Sequence, residues 1–205
     1  MKKMLLASDG GFLFAQGYNL LGIPMKDMRI GYVITASKGV ADLSYLERLK
    51  ASMQELGLNF EEIDIEGKTK DELYKFFEDK NVIHVEGGNT YYLIKTMKQN
   101  GCDQVLKDLV DHGKIYVGTS AGASIAGPRI DVSTWVPEGA PPEDLEALNL
   151  VPFTVKSHYT PERHDEFLEM VKKTNSPVRI LRDGQGILVE DDTYKFVGEG
   201  EEIKL

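Results

Sequence analysis

Five apolar runs of strand length, at residues 4–7, 30–35, 60–65, 82–85 and 115–118, recur along the chain, with segments of helical period between them. Runs that are apolar throughout need cover on both faces, and strands joined through helices run parallel. The pattern predicts an α/β fold, a doubly wound and mostly parallel sheet with helices on both faces. Leu43, Leu46, Leu49, Met53 and Leu56 mark one helix, stopped by Gly57. Leu73, Phe76 and Phe77 mark a second, with Asp71 and Glu72 near its start, where the helix dipole favours acids. A third and a fourth are expected over 90–99 and 103–111, parted by Asn100-Gly101.

Beyond residue 118 the regularity weakens. Residues 130–148 carry Pro137, Pro141 and Pro142 and no clear period. A strand over 153–156 and a helix over 162–173 follow, then short strand-like runs near Val178, Ile187 and Tyr194, which are expected to pair antiparallel and close the sheet edge. The 205 residues, 41% of them hydrophobic, are enough for one substantial core, so a single domain over 1–205 is expected.

The formal net charge of -9, without any basic run, argues against a nucleic-acid partner. Asp9 cuts short the apolar stretch at the N-terminus, so neither a signal segment nor a membrane span is expected there. Cys102 is the sole cysteine and cannot form an intramolecular disulfide, which makes a cytoplasmic location the default. Four scattered histidines lack metal-ligand spacing, and no Walker or dinucleotide-binding loop is present, so no metal or cofactor is expected.

Chemistry concentrates in two glycine turns. Gly118-Thr119-Ser120-Ala121-Gly122 has the form G-x-S-x-G, directly after an apolar strand and before a helix start of small residues. That is the setting of a nucleophile elbow, a strained turn with small neighbours that let the backbone fold tightly. The string alone would arise by chance about 0.1 times in such a chain, so its setting carries the argument. The second turn, Glu86-Gly87-Gly88-Asn89-Thr90, follows the strand at 82–85 and opens a helix. Both turns fall at the carboxyl edge of a parallel sheet, where free backbone N–H groups can hold a phosphate or an oxyanion. Gly88 and Ala121 are the candidate oxyanion donors, and Gly87, Asn89 and Thr90 the candidate substrate-binding residues. A plain strand-to-helix turn would also use glycine here.

A serine nucleophile needs a base. His158 ends a strand and enters a loop at the same sheet edge, whereas His84 lies inside a strand, His112 at a helix end and His164 on a charged helix. For the orienting acid, Asp131, Asp183 and Glu190 all remain open. Asp183 is preferred because it ends a short strand in a Leu181-Arg182-Asp183-Gly184 turn, although Asp-Gly is also ordinary turn chemistry.

Taken together, Gly87-Gly88-Asn89-Thr90, the elbow, the run from Asp144 to Leu150 and Ser157-His158-Tyr159 resemble the peptidase E family of serine dipeptidases. Cyanophycinases are more distant kin, on a fold like the class I glutamine amidotransferases. The resemblance implies Ser120 as nucleophile, His158 as base, Gly88 and Ala121 as oxyanion donors and an acid at Asp183. Three positions depart from the family pattern. Glu86 replaces a glycine, Trp135 falls where the family has an aspartate associated with activity, and the loop after His158 lacks the insertion carrying a substrate-reading arginine. Arg163 is a poorly aligned substitute for that arginine, so Asp-Xaa specificity is not implied. The expected function is hydrolysis of small peptides by acyl transfer. A noncatalytic metabolite-binding protein and a small-amide or ester hydrolase are the rivals. Oligomeric state is not legible.

Overall fold

The computed structural model describes residues 2–205. Seven strands form the main sheet: Lys3–Ala7 (β1), Arg29–Val33 (β2), Asn59–Ile63 (β3), Val82–Val85 (β4), Ile115–Thr119 (β5), Gln185–Glu190 (β8) and Thr193–Gly198 (β9). A separate pair is made by Thr154–Lys156 (β6) and Val178–Ile180 (β7). The helices are Gly10–Ala15 (α1), Ser44–Glu55 (α2), Lys70–Phe77 (α3), Thr90–Asn100 (α4), Cys102–Asp111 (α5), Ala121–Ile125 (α6) and His164–Lys172 (α7). In the main sheet the order is β3-β2-β4-β5-β1-β8-β9, parallel from β3 to β1 and antiparallel at β8 and β9.

Each central strand feeds two cores because successive side chains point to opposite faces. Met4, Leu6, Ile83, Val85 and Tyr116 face a core closed by α3 to α6. Leu5, Ala7, Val82 and Val117 face the other, closed by α1 and α2. Helix starts follow local chemistry. Thr69 and Glu72 form a reciprocal capping box at α3, and Asn89 caps α4 by accepting from the Tyr92 N–H. Gly101, at φ +76°, turns the chain between α4 and α5.

Two expectations need correcting. β7 does not join the main sheet but pairs parallel with β6, and only β8 and β9 form the antiparallel edge. Helix α1 is not among the expected helices; Asp9 starts it by accepting from the Phe12 N–H at 2.9 Å. Among the described residues, no helix is long and apolar enough to cross a membrane.

Candidate active site

Strands β4, β5 and β1 lie side by side and parallel, so their carboxyl ends open on one edge of the sheet. Ligands of open α/β sheets bind in the crevice at such an edge. β1 delivers Ser8, β4 delivers Glu86 to Gly88, and β5 delivers Ser120. β8 runs the opposite way, so the turn that precedes it brings Asp183 to the same edge.

Ser120 sits at φ 49°, ψ -102°, a conformation costly for a residue with a side chain. Neighbouring structure holds it there: its N–H donates to the Ala7 carbonyl at 3.0 Å and its carbonyl accepts from the Ser124 N–H at 2.9 Å. The turn must be tight because α6 packs directly on β4. A Cβ at Gly122 would stand 2.0 Å from the Val85 carbonyl oxygen.

His158 meets Ser120 from the small sheet. The Leu181 N–H donates to Lys156 O at 2.9 Å and the Tyr159 N–H to Leu181 O at 3.0 Å, which lays the chain around His158 along the chain leading to Asp183. His158 Nδ1 lies 2.7 Å from Asp183 Oδ1, and its Nε2 lies 2.9 Å from Ser120 Oγ. An ionised carboxylate only accepts, so Nδ1 carries the proton and the Nε2 lone pair faces the serine hydroxyl. The His158 hydrogen bond holds the Asp183 carboxyl below its usual pKa, against an opposing effect of partial burial. Ser8, fully buried, ties the arrangement together: its hydroxyl accepts from the His158 N–H at 3.0 Å and donates to Asp183 Oδ1 at 2.9 Å. Sequence reasoning missed Ser8, whose only signal is its place at the end of β1.

The two other acids are engaged elsewhere. Asp131 takes a two-pronged contact from Arg129 at 2.8 and 2.9 Å, and Glu190 pairs with Lys3 at 2.8 Å. The other histidines have structural surroundings. His84 is buried between Tyr18 at 2.9 Å and Thr119 at 2.7 Å, and burial drives its pKa down to about 3. His112 Nδ1 contacts Asp108 O, and His164 contacts the Tyr159 hydroxyl.

Ser120 stands between two hollows. The larger, about 540 Å³, is bounded by Asp9, Val40, Tyr45, Arg48, Leu49 and Trp135. A smaller one, about 90 Å³, is bounded by Thr90, Ala121, Ser124, Lys156, Ser157 and Arg163. Gly88, Ser120, Trp135 and His158 line both. A wider depression of about 790 Å³ near β3 and α3 carries several acids but none of these groups.

Among the described residues, the N–H groups of Gly88 and Ala121 have no hydrogen-bond acceptor, and both residues line the smaller hollow with Ser120. Gly87 contributes differently, since its N–H is taken by Glu86 at 2.7 Å. The Asn89 side chain is occupied in capping α4, and Thr90 lines the smaller hollow. Gly88 has φ +135°, and a Cβ there would fall 2.2 Å from the Ala36 carbonyl oxygen. Gly88→Ala is therefore expected to cost about 2–4 kcal/mol of stability and to abolish turnover. Chemical denaturation and a hydrolysis assay would check this, and a parental midpoint with parental rate would refute it.

The smaller hollow contains a second feature that went unread in the sequence. Lys156, only 8% exposed, forms no ion pair among the described residues; its Nζ lies 5.4 Å from the Phe167 ring centroid. Burial first, then the neighbouring Arg163 charge, lowers its pKa to about 8. Beside it the buried Ser157 hydroxyl has no hydrogen-bond partner.

The model of peptidase family S51 matches residues 19–197. The chain belongs to peptidase family S51. This makes it a serine-type peptidase. An uncharacterized peptidase of Pasteurella multocida is 31% identical over 202 residues, 94% of this chain and 96% of that protein. A Drosophila melanogaster protein named probable alpha-aspartyl dipeptidase is 32% identical over 166 residues, 76% of this chain and 67% of its own length. The S51 fold is shared with a peptidase E crystal structure from Listeria monocytogenes EGD-e, at TM-score 0.86 and 24% identity, over 98% of this chain and 100% of that one.

Proposed function

We propose that this S51 peptidase hydrolyses dipeptides through Ser120, His158 and Asp183, with the N–H groups of Gly88 and Ala121 as the oxyanion hole. The observation that carries the reading is the continuous hydrogen-bonded line from Asp183 through His158 to Ser120 Oγ, on a strained turn. Ser120 Oγ attacks the scissile carbonyl while His158 Nε2 takes its proton. Negative charge then forms on the carbonyl oxygen, where the two N–H groups bind it more tightly than the ground-state carbonyl. His158 returns the proton to the leaving amine as the C–N bond breaks. Water, activated by the same imidazole, then hydrolyses the acyl-serine.

The test is mass-spectrometric mapping of fluorophosphonate labelling, with Ser120→Ala as control. Labelling confined to Ser120 and absent from the control is expected; labelling elsewhere, or none on folded protein, would reject the reading.

The substrate reading goes one step further: the first residue of the dipeptide is acidic. Lys156 is a buried cation that lines the hollow with Ser120 and forms no salt bridge among the described residues, the Glu166 carboxylate acting on it only at longer range. A carboxylate in that hollow would neutralise this charge. The name of the Drosophila relative agrees with this choice. Glu86 does not oppose it, because its carboxylate is bound to Tyr32 and to the Gly87 N–H rather than aimed into the smaller hollow. Lys156→Met is expected to lower kcat/KM for an acidic dipeptide about 100-fold while changing that for an alanyl dipeptide far less. The charged lysine is needed, so in the parent kcat/KM for the acidic substrate should fall as pH rises through about 8. pH–rate profiles of both proteins with both substrates decide the point; an unchanged substrate ratio would sink it.

A further inference from the structure

The Gly88 N–H shares a rigid peptide plane with the Gly87 carbonyl, so a group that holds the carbonyl also aims the N–H. The Tyr45 hydroxyl, from the first turn of α2, donates to Gly87 O at 3.1 Å. On the other side of the Gly87 Cα, the Gly87 N–H donates to Glu86 Oε1 at 2.7 Å. Glu86 is 1% exposed, and its second oxygen accepts from the Tyr32 hydroxyl at 2.7 Å. Tyr32 is itself fully buried in β2, so this anchor belongs to the core of the sheet.

We infer that Glu86 and Tyr45 are positioning residues that clamp the two peptide planes flanking Gly87 and so hold the Gly88 N–H on the oxyanion formed during attack by Ser120. Neither side chain needs to touch the reacting atoms. In a trans peptide the N–H points opposite its carbonyl. The Gly88 N–H therefore points away from Tyr45, and Gly88 and Ala121 both line the smaller hollow, which Tyr45 does not. Gly87 itself presses on the nucleophile, since a Cβ there would stand 3.1 Å from Ser120 Cβ. A buried carboxylate is costly unless both oxygens are satisfied, and space alone would be filled more cheaply by an apolar group. Glu86 uses both of its oxygens on the tyrosine anchor and the glycine turn.

An oxyanion donor acts most strongly in the transition state, so loss of its alignment lowers kcat and leaves KM nearly unchanged. The experiment is steady-state kinetics on Tyr45→Phe, Glu86→Leu and Glu86→Gln, with Ser120→Ala in parallel. Inhibition by a peptide boronate, which mimics the tetrahedral state, and by the amino-acid product is measured on the same proteins. Tyr45→Phe is expected to keep its melting temperature and KM, lose about tenfold in kcat, and bind the boronate about tenfold more weakly with product binding unchanged. Glu86→Leu should lose at least as much, and Glu86→Gln, which keeps a carbonyl acceptor for Gly87, should recover most of that loss. Parental kcat and boronate affinity in Tyr45→Phe would overturn the clamp; that variant decides alone if Glu86→Leu fails to fold. The inference rests on Ser120 as nucleophile. Retained turnover in Ser120→Ala would remove both readings, whereas an inert Ser120→Ala beside a fully active Tyr45→Phe removes only the clamp.

Discussion

Ser120→Ala is expected to fold like the parent and to cleave its dipeptide about 10⁴-fold more slowly or worse, the residue of activity coming from binding and the oxyanion donors. A chromatographic assay of product formation measures it, and a loss below tenfold would reject Ser120 as nucleophile. Stability gives the companion result. Alanine inherits the φ 49° strain of this position, so the melting temperature should hardly move. Glycine relieves that strain, worth about 1–3 kcal/mol, so Ser120→Gly should be inactive yet melt several degrees higher. An enzyme that becomes more stable on losing its nucleophile is one whose turn is held by its surroundings for chemistry.

Asp183→Asn is the second large effect, an expected loss of about 10³-fold in kcat with little change in KM. Asparagine can donate where the carboxylate only accepted, which lets the imidazole settle with its proton on Nε2, facing the serine. The same residue leaves a trace in acid. Its folded pKa lies below the unfolded value, so its contribution to stability is present above about pH 4 and is lost as pH falls through the folded pKa. Any excess in parental melting temperature over Asp183→Asn should therefore be steady at neutral pH and disappear in acid as the folded carboxyl takes up its proton. Its side chain is 65% exposed, so that excess should be small, and the kinetic loss is the decisive readout. A parental kcat in Asp183→Asn would show that the acid is dispensable.

Much of this was legible because the apolar runs and glycine turns report local requirements. β1, β4 and β5 need apolar residues on both faces, and the elbow needs small residues around Ser120, so the sheet and the strained turn at Ser120 could be read from the chain alone. The choice among Asp131, Asp183 and Glu190 could not, because it depends on which acids find cations: Arg129 takes Asp131 and Lys3 takes Glu190. Ser8 and Lys156 were hidden for a related reason. A serine at a strand end looks ordinary until a residue 150 positions away is folded against it, and a lysine in a three-residue strand until the hollow closes around it. β7 was misassigned because three half-apolar residues cannot say which of two sheets they join.

The antiparallel course of β8 has a consequence for biosynthesis. The acid that Ser8 binds lies 175 residues later, just before the strand that pairs with β1. Until β8 has been made, β1 has an unpaired edge and His158 has no carboxylate beside it. The proposed line from acid to serine can therefore close only after β8 has been made and has paired with β1, so the order in which the strands are made delays its assembly.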